Sequence, residues 1–225
     1  MKGVKIAPSV LTGDLGDLER AVRICEEGGA DQVHLDVIDG HFAPNITFGP
    51  GTVKALRKVS SLKFDTHLMI EQPDLYAKKF IEAGSDLLTF HAEVLDGRSF
   101  DSLWKIVNEA GKEVGLAIKP GTEFPPWAAE RVDKVSTFVV MTVNPGFSGQ
   151  KMDMGVLPKL EQISKKLKEV HATTEIEVDG GVEPENAREV VKKGGEVLVA
   201  GAGVYSKVNP VAAIGDLRRH AEGAE

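Results

Sequence analysis

The chain of 225 residues is 42% hydrophobic and 27% charged, with 27 Lys and Arg against 34 Asp and Glu for a formal net charge of −7. That length buries a substantial core, and the composition excludes disordered, collagen-like and coiled-coil chains. The acidic balance argues against nucleic acid or an anionic membrane as partner, and no run approaches the roughly 18 apolar residues that span a bilayer.

The stretch from Met1 to Ser9 has lysines but only a short apolar run before Asp14 and Asp17, so neither a signal nor a transit peptide is expected. Residues 4–8 read as a first strand. Residues 14–28 follow as a helix, with Leu15, Leu18, Val22 and Cys25 at spacings of three and four and a stop at Gly28-Gly29. Cys25 is the single cysteine, so no disulfide forms within the chain, and a reducing, cytoplasmic setting is expected. Further strands are predicted at 32–37, 63–69, 87–90, 114–118, 137–141, 175–178 and 197–200, with helical stretches between them. Of these, 73–83 opens on Pro73 and ends at Gly84, and 184–193 repeats the design from Pro184 to Gly194-Gly195. The strands recur about every 27 residues, the size of one strand-plus-helix unit. Several read as continuous apolar runs, as in Thr137-Phe-Val-Val-Met141, which fits a parallel sheet covered by helices. Eight such units predict an α/β fold, a (β/α)8 TIM barrel forming a single domain over 1–225. An open doubly wound sheet shares the periodicity and is the alternative.

In both folds function gathers at the carboxyl ends of the strands. Those ends hold Ser9, His34, Asp36, His67, Met141, Asp179 and Gly201. His34 and Asp36 are two apart, so on a strand they share a face. His67 and Asp179 can join them from other strands. Two His and two Asp make an N2O2 donor set suited to Zn, Fe(II), Mn or Co. Taken singly, each reads rather as a hydrogen-bonded core histidine or a loop-capping aspartate; it is the four together at strand ends that point to a metal.

Glycine-rich turns form a second signal. Asn144-Pro-Gly-Phe-Ser-Gly-Gln150, Asp179-Gly-Gly181 and Ala200-Gly-Ala-Gly203 follow strands six, seven and eight. In a barrel these loops hold phosphate through backbone N–H groups, and glycine allows the close approach. None carries Lys or Arg within the turn, so main-chain dipoles would do the work. Lys119, in Ile-Lys-Pro-Gly, could serve as a Schiff-base nucleophile, although its Pro-Gly turn favours a solvated loop lysine. Met69 and Met141 fit either core filling or an apolar lid over a reacting carbon.

These motifs resemble the ribulose-phosphate 3-epimerase family. The resemblance covers nearly the whole chain and rests on Ile6-Ala-Pro-Ser-Val10, the stretch from His34 to Gly49, His67-Leu-Met69, Gly115-Leu-Ala-Ile-Lys-Pro-Gly-Thr122, Val140-Met-Thr-Val-Asn-Pro-Gly-Phe-Ser-Gly-Gln150 and Glu177-Val-Asp-Gly-Gly-Val182. It implies a (β/α)8 barrel of the pentose phosphate pathway that interconverts D-ribulose 5-phosphate and D-xylulose 5-phosphate. It also implies one divalent metal, zinc among the candidates, on His34, Asp36, His67 and Asp179. Asp36 and Asp179 would be the acid/base pair, and the metal would stabilise the enediolate between two proton transfers at C3. Ser9, His67, Met69 and Met141 would meet the substrate, with phosphate against Gly146, Phe147, Ser148, Gly149, Gly180, Gly181, Gly201 and Ala202. Ile38, Ser148 and Ala202 depart from the Met, Gly and Ser usual in the family. The rivals are a sister epimerase acting on allulose 6-phosphate and a Schiff-base aldolase built on Lys119. A homo-oligomer is the expected assembly.

Overall fold

Along Gln32–Ile38 and Lys63–Met69 nearly every residue is buried, yet the chemistry alternates. Val33, Leu35, Val37, Phe64 and Leu68 join the main apolar core, while His34, Asp36, Asp65 and His67 intervene. Successive strand side chains point to opposite faces, so the apolar set meets helices and the polar set fills the space on the other side. That second space is the interior of a barrel. The computed structural model describes residues 3–223; residues 1, 2, 224 and 225, which belong to the expected domain, lie outside them.

The strands are β1 (Lys5–Pro8), β2 (Gln32–Ile38), β3 (Lys63–Met69), β4 (Leu87–His91), β5 (Glu113–Ile118), β6 (Thr137–Met141), β7 (Glu175–Asp179) and β8 (Val197–Ala200). All pair in parallel in the order β1-β8-β7-β6-β5-β4-β3-β2. A parallel bridge between Ser9 and His34 joins the two ends of that order. The sheet therefore closes as a (β/α)8 barrel, and the doubly wound alternative, whose outer strands would stay apart, does not apply.

The helices are α1 (Leu18–Glu27), α2 (Pro50–Leu56), α3 (Ala77–Ala83), α4 (Gly97–Glu109), α5 (Pro126–Ala129), α6 (Leu157–Glu169), α7 (Pro184–Lys192), α8 (Ala202–Tyr205) and α9 (Pro210–Glu222). Two begin later than their periodicity predicts. At α1 the Asp14 carboxylate accepts from the Gly16 amide, forming a turn, and Asp17 caps the helix by accepting from Arg20 N–H. At α3 the Pro73 start belongs to a 3-10 turn, Pro73–Leu75, before the regular helix. The α7 start falls where expected, at Pro184, behind a Glu183–Asn186 capping box. Cys25 is buried in α1 with its sulfur 3.2 Å from the Tyr205 hydroxyl, and burial pushes its thiol up to about 12. No helix of the described residues is long and apolar enough to cross a membrane.

Candidate active site

Strand geometry brings the four sequence-predicted ligands together. His34 and Asp36 share the inner face of β2, and register places Asp36 beside His67 on β3. The His34 Nε2 atom lies 3.4 Å from Asp36 Oδ1 and 3.9 Å from Asp179 Oδ2. His67 Nδ1 lies 3.3 Å from Asp179 Oδ2 and 4.0 Å from Asp36 Oδ1. Both imidazoles are fully buried, and both carboxylates are nearly so.

Two nitrogens in this cluster, His34 Nε2 and His67 Nδ1, have no hydrogen-bond partner although they are buried. Leaving a buried polar atom unpaired costs roughly 1–3 kcal/mol, so two of them converging on two carboxylates call for a further occupant. A divalent cation fits: the four donor atoms lie within 4.8 Å of one another and combine neutral nitrogen with anionic oxygen.

The opposite ring nitrogens are engaged. His34 Nδ1 is 2.7 Å from Asp65 Oδ2, and His67 Nε2 is 2.9 Å from His91 Nε2. His91 Nδ1 in turn lies 2.8 Å from Glu93 Oε2. Beneath His34, Gln32 donates to Glu177 at 3.0 Å. Burial opposes charge on His34, but the carboxylates of Asp65 and Asp36 outweigh it and raise the imidazole well above its ordinary value. Burial likewise works against the Asp36 carboxylate, and the two imidazoles with the Ser9 hydroxyl reverse that and lower it. Burial and the neighbouring Asp65 charge push Glu177 well above the carboxylate range.

Above this cluster opens a cleft. Asp36 and Asp179 form part of its floor, while His34 and His67 lie behind them and do not line it. The expectation that His67 touches substrate therefore has no support in the cavity lining. Ser9 lines the cleft and donates to Asp36 Oδ2 at 2.5 Å. Met69, Met141 and Ile38 pack into one small apolar cluster on the cavity wall. All the expected phosphate-turn residues, Gly146, Phe147, Ser148, Gly149, Gly180, Gly181, Gly201 and Ala202, line the same cleft.

The turns owe their shape to specific contacts. Gln150 donates to the carbonyls of Asn144 and Phe147 at 2.9 and 2.8 Å, fixing the loop after β6. Gly181 sits at φ +61, and a side chain there would collide with the main chain of Lys151 and Met152. Gly201 has an ordinary φ, but a Cβ would strike the Thr12 hydroxyl, so the constraint there is space. Among the described residues, the N–H groups of Gly149, Gly180, Gly181 and Gly201 donate to no other main-chain group outside the regular elements. Lys119 is not in the cleft: its ammonium rests 3.7 Å from the centre of the Phe42 ring.

Sequence reasoning missed the layer behind the ligands: Asp65, Glu177, His91 and Glu93. The first two were detectable, since each lies two residues before a ligand on the same strand face. Thr12 and Glu183, which also line the cleft, gave no signal.

The family model for "Ribulose-phosphate 3 epimerase family" matches residues 5–205. The chain belongs to that family. It is 42% identical over 217 residues to the ribulose-phosphate 3-epimerase of Bacillus subtilis, covering 96% of this chain and 98% of that one. It is 42% identical over 207 residues to the Rhodobacter capsulatus ribulose-phosphate 3-epimerase, covering 91% and 87%. A solved structure of KGPDC from Streptococcus mutans superposes with a TM-score of 0.72 at 12% identity over 99% of each chain, a likeness of fold. As a ribulose-phosphate 3-epimerase family member this chain is an epimerase, and its buried His/Asp group is one that could hold a metal.

Proposed function

We propose that the chain is a metal-dependent epimerase that interconverts D-ribulose 5-phosphate and D-xylulose 5-phosphate at C3. The observation that carries this reading is the pair of unpartnered buried nitrogens, His34 Nε2 and His67 Nδ1, facing Asp36 and Asp179 at the floor of a cleft. One divalent ion (Zn, Fe(II), Mn or Co) held by these four residues would supply Lewis-acid stabilisation of the negative charge that builds on the substrate.

The chain's own residues supply the rest. Inverting C3 beside a carbonyl requires taking a proton from one face and returning one to the other. Asp36 on β2 and Asp179 on β7 reach the floor from different sides of the barrel, so each is assigned one face as acid or base. The Ser9 hydroxyl, donating to Asp36, orients one of the pair. Met69, Met141 and Ile38 keep water from the carbon that loses its proton. The amides of the turns after β6, β7 and β8 hold the phosphate, which fixes the sugar and prevents its turning over between transfers. Lys119 lies on Phe42 outside the cleft, which speaks against a Schiff-base aldolase. The reading takes the enzyme to be a cytoplasmic homo-oligomer.

The test is exhaustive chelation followed by assay on D-ribulose 5-phosphate, with D-allulose 6-phosphate in parallel. Turnover should vanish and return with one of the four metals, the pentose being preferred. His34→Ala and His67→Ala should each fail to retain metal. Full activity in metal-free protein contradicts the proposal.

A further inference from the structure

Behind His67 runs a chain of two hydrogen bonds that ends on a carboxylate in another loop. His67 and His91 meet edge to edge, Nε2 to Nε2 at 2.9 Å, with ring planes 10° from parallel. His91 Nδ1 lies 2.8 Å from Glu93 Oε2. The other oxygen, Glu93 Oε1, accepts from the Lys119 main-chain N–H at 2.6 Å. Phe42 packs on His91 with ring centroids 4.5 Å apart, which limits rotation of the imidazole.

Proton counting gives this chain one direction. A neutral imidazole has one N–H and one lone pair, and only the lone pair can bind a metal. For His67 to offer Nδ1 toward Asp36 and Asp179, its proton must sit on Nε2 and point at His91. His91 Nε2 must then be bare, which puts the His91 proton on Nδ1, facing Glu93. An ionised Glu93 carboxylate can only accept, so it permits this arrangement and excludes its reverse. Burial works against that carboxylate, but the His91 hydrogen bond and the loop contacts hold it down at about 2.

We infer that Glu93 is a positioning residue which, acting through His91, fixes the tautomer of His67 that binds metal. No proton leaves the chain; the two bonds only select where each stays. This rests on the metal reading proposed above, and it adds a determinant in the loop after β4 that touches neither metal nor substrate. Groups that orient metal-binding histidines typically contribute 10–100-fold in affinity.

Two measurements test it. The first is a long-range ¹H–¹⁵N spectrum of the zinc-loaded protein with labelled histidine. His91 should be neutral with its proton on Nδ1, and His67 should carry its proton on Nε2. A His91 protonated on Nε2, or on both nitrogens, overturns the inference. The second is zinc affinity by chelator competition in Glu93→Gln. The two donors meet different carboxylate oxygens, and the substitution turns one of them into an NH2 donor. With the remaining oxygen on the Lys119 N–H, the NH2 faces His91 Nδ1, so affinity should fall 10–100-fold, with the His91 proton moved to Nε2. Unchanged affinity in a folded variant overturns the inference; if the variant does not fold, the wild-type spectrum decides. His67→Ala separates the two levels. If it leaves zinc affinity intact, the metal reading fails and takes this one with it. If it abolishes binding while His91 shows the wrong tautomer, only the Glu93 assignment falls.

Discussion

Asp36 and Asp179 carry two jobs, as ligands of a cation and as groups that move protons, and substitution can separate them. Asp36→Asn and Asp179→Asn preserve size and one acceptor oxygen while removing the base. In variants shown to retain metal, kcat for epimerisation should fall by roughly 10²–10⁴-fold, the usual contribution of general acid–base catalysis. Near-normal kcat in a metal-replete variant of either would reduce that residue to a ligand. Spacing alone made this pair's neighbourhood legible: His34 and Asp36 share a face because strands have a period of two, and they lie 3.4 Å apart at His34 Nε2 and Asp36 Oδ1. The same rule applied one step further back reaches Asp65 from His67 and Glu177 from Asp179. It stops short of His91 and Glu93, because their role depends on β3 and β4 lying side by side, which no local pattern encodes.

At the scale of elements, the eight strands were readable because their outer faces are apolar and recur at a regular interval. Helix starts were less so. Asp14 and Pro73 both look like openings, and each instead forms a turn of its own before the helix begins. The glycine turns were readable as a set, but the reasons differ from turn to turn. Gly181 needs its left-handed backbone, whereas Gly201 needs the space that Thr12 takes up. Gly201→Val should accordingly displace Thr12 and disturb the turn after β8. Inhibition by inorganic phosphate should weaken while metal content stays normal; unchanged inhibition would remove this turn from the phosphate site. A separate prediction concerns α4. Hydrogen bonds from Arg131 and then Lys134 to Asp101 hold its carboxyl at about 2, tying α4 to the segment before β6. The folded value is depressed, so this contribution is present above the ordinary carboxylate value of about 3.9 and fades as pH falls toward 2. Asp101→Asn should lower the urea midpoint at pH 7, and its difference from wild type should shrink across that acid window. A difference independent of pH would contradict the assignment.

For the molecule as a whole, closing the sheet solves two problems at once. The outward residues of the strands pack against the helices in one continuous core, which supplies stability. The inward residues at the carboxyl ends are then free to be polar, and there the chain places two histidines and two carboxylates within 4.8 Å at their donor atoms. Such a concentration of buried charge is costly without a cation, so metal should stabilise the fold as well as activate it. At a free metal concentration 100 times Kd the gain is about 2.7 kcal/mol, visible as a rise in Tm over chelated protein. The central claim, that two carboxylates serve opposite faces of C3, is tested most directly by following D-ribulose 5-phosphate in deuterated water by NMR at early times. The account predicts xylulose 5-phosphate carrying solvent deuterium at C3, with little deuterium in the remaining substrate. Deuterium entering substrate and product together from the outset, or product that keeps its original hydrogen, would contradict it.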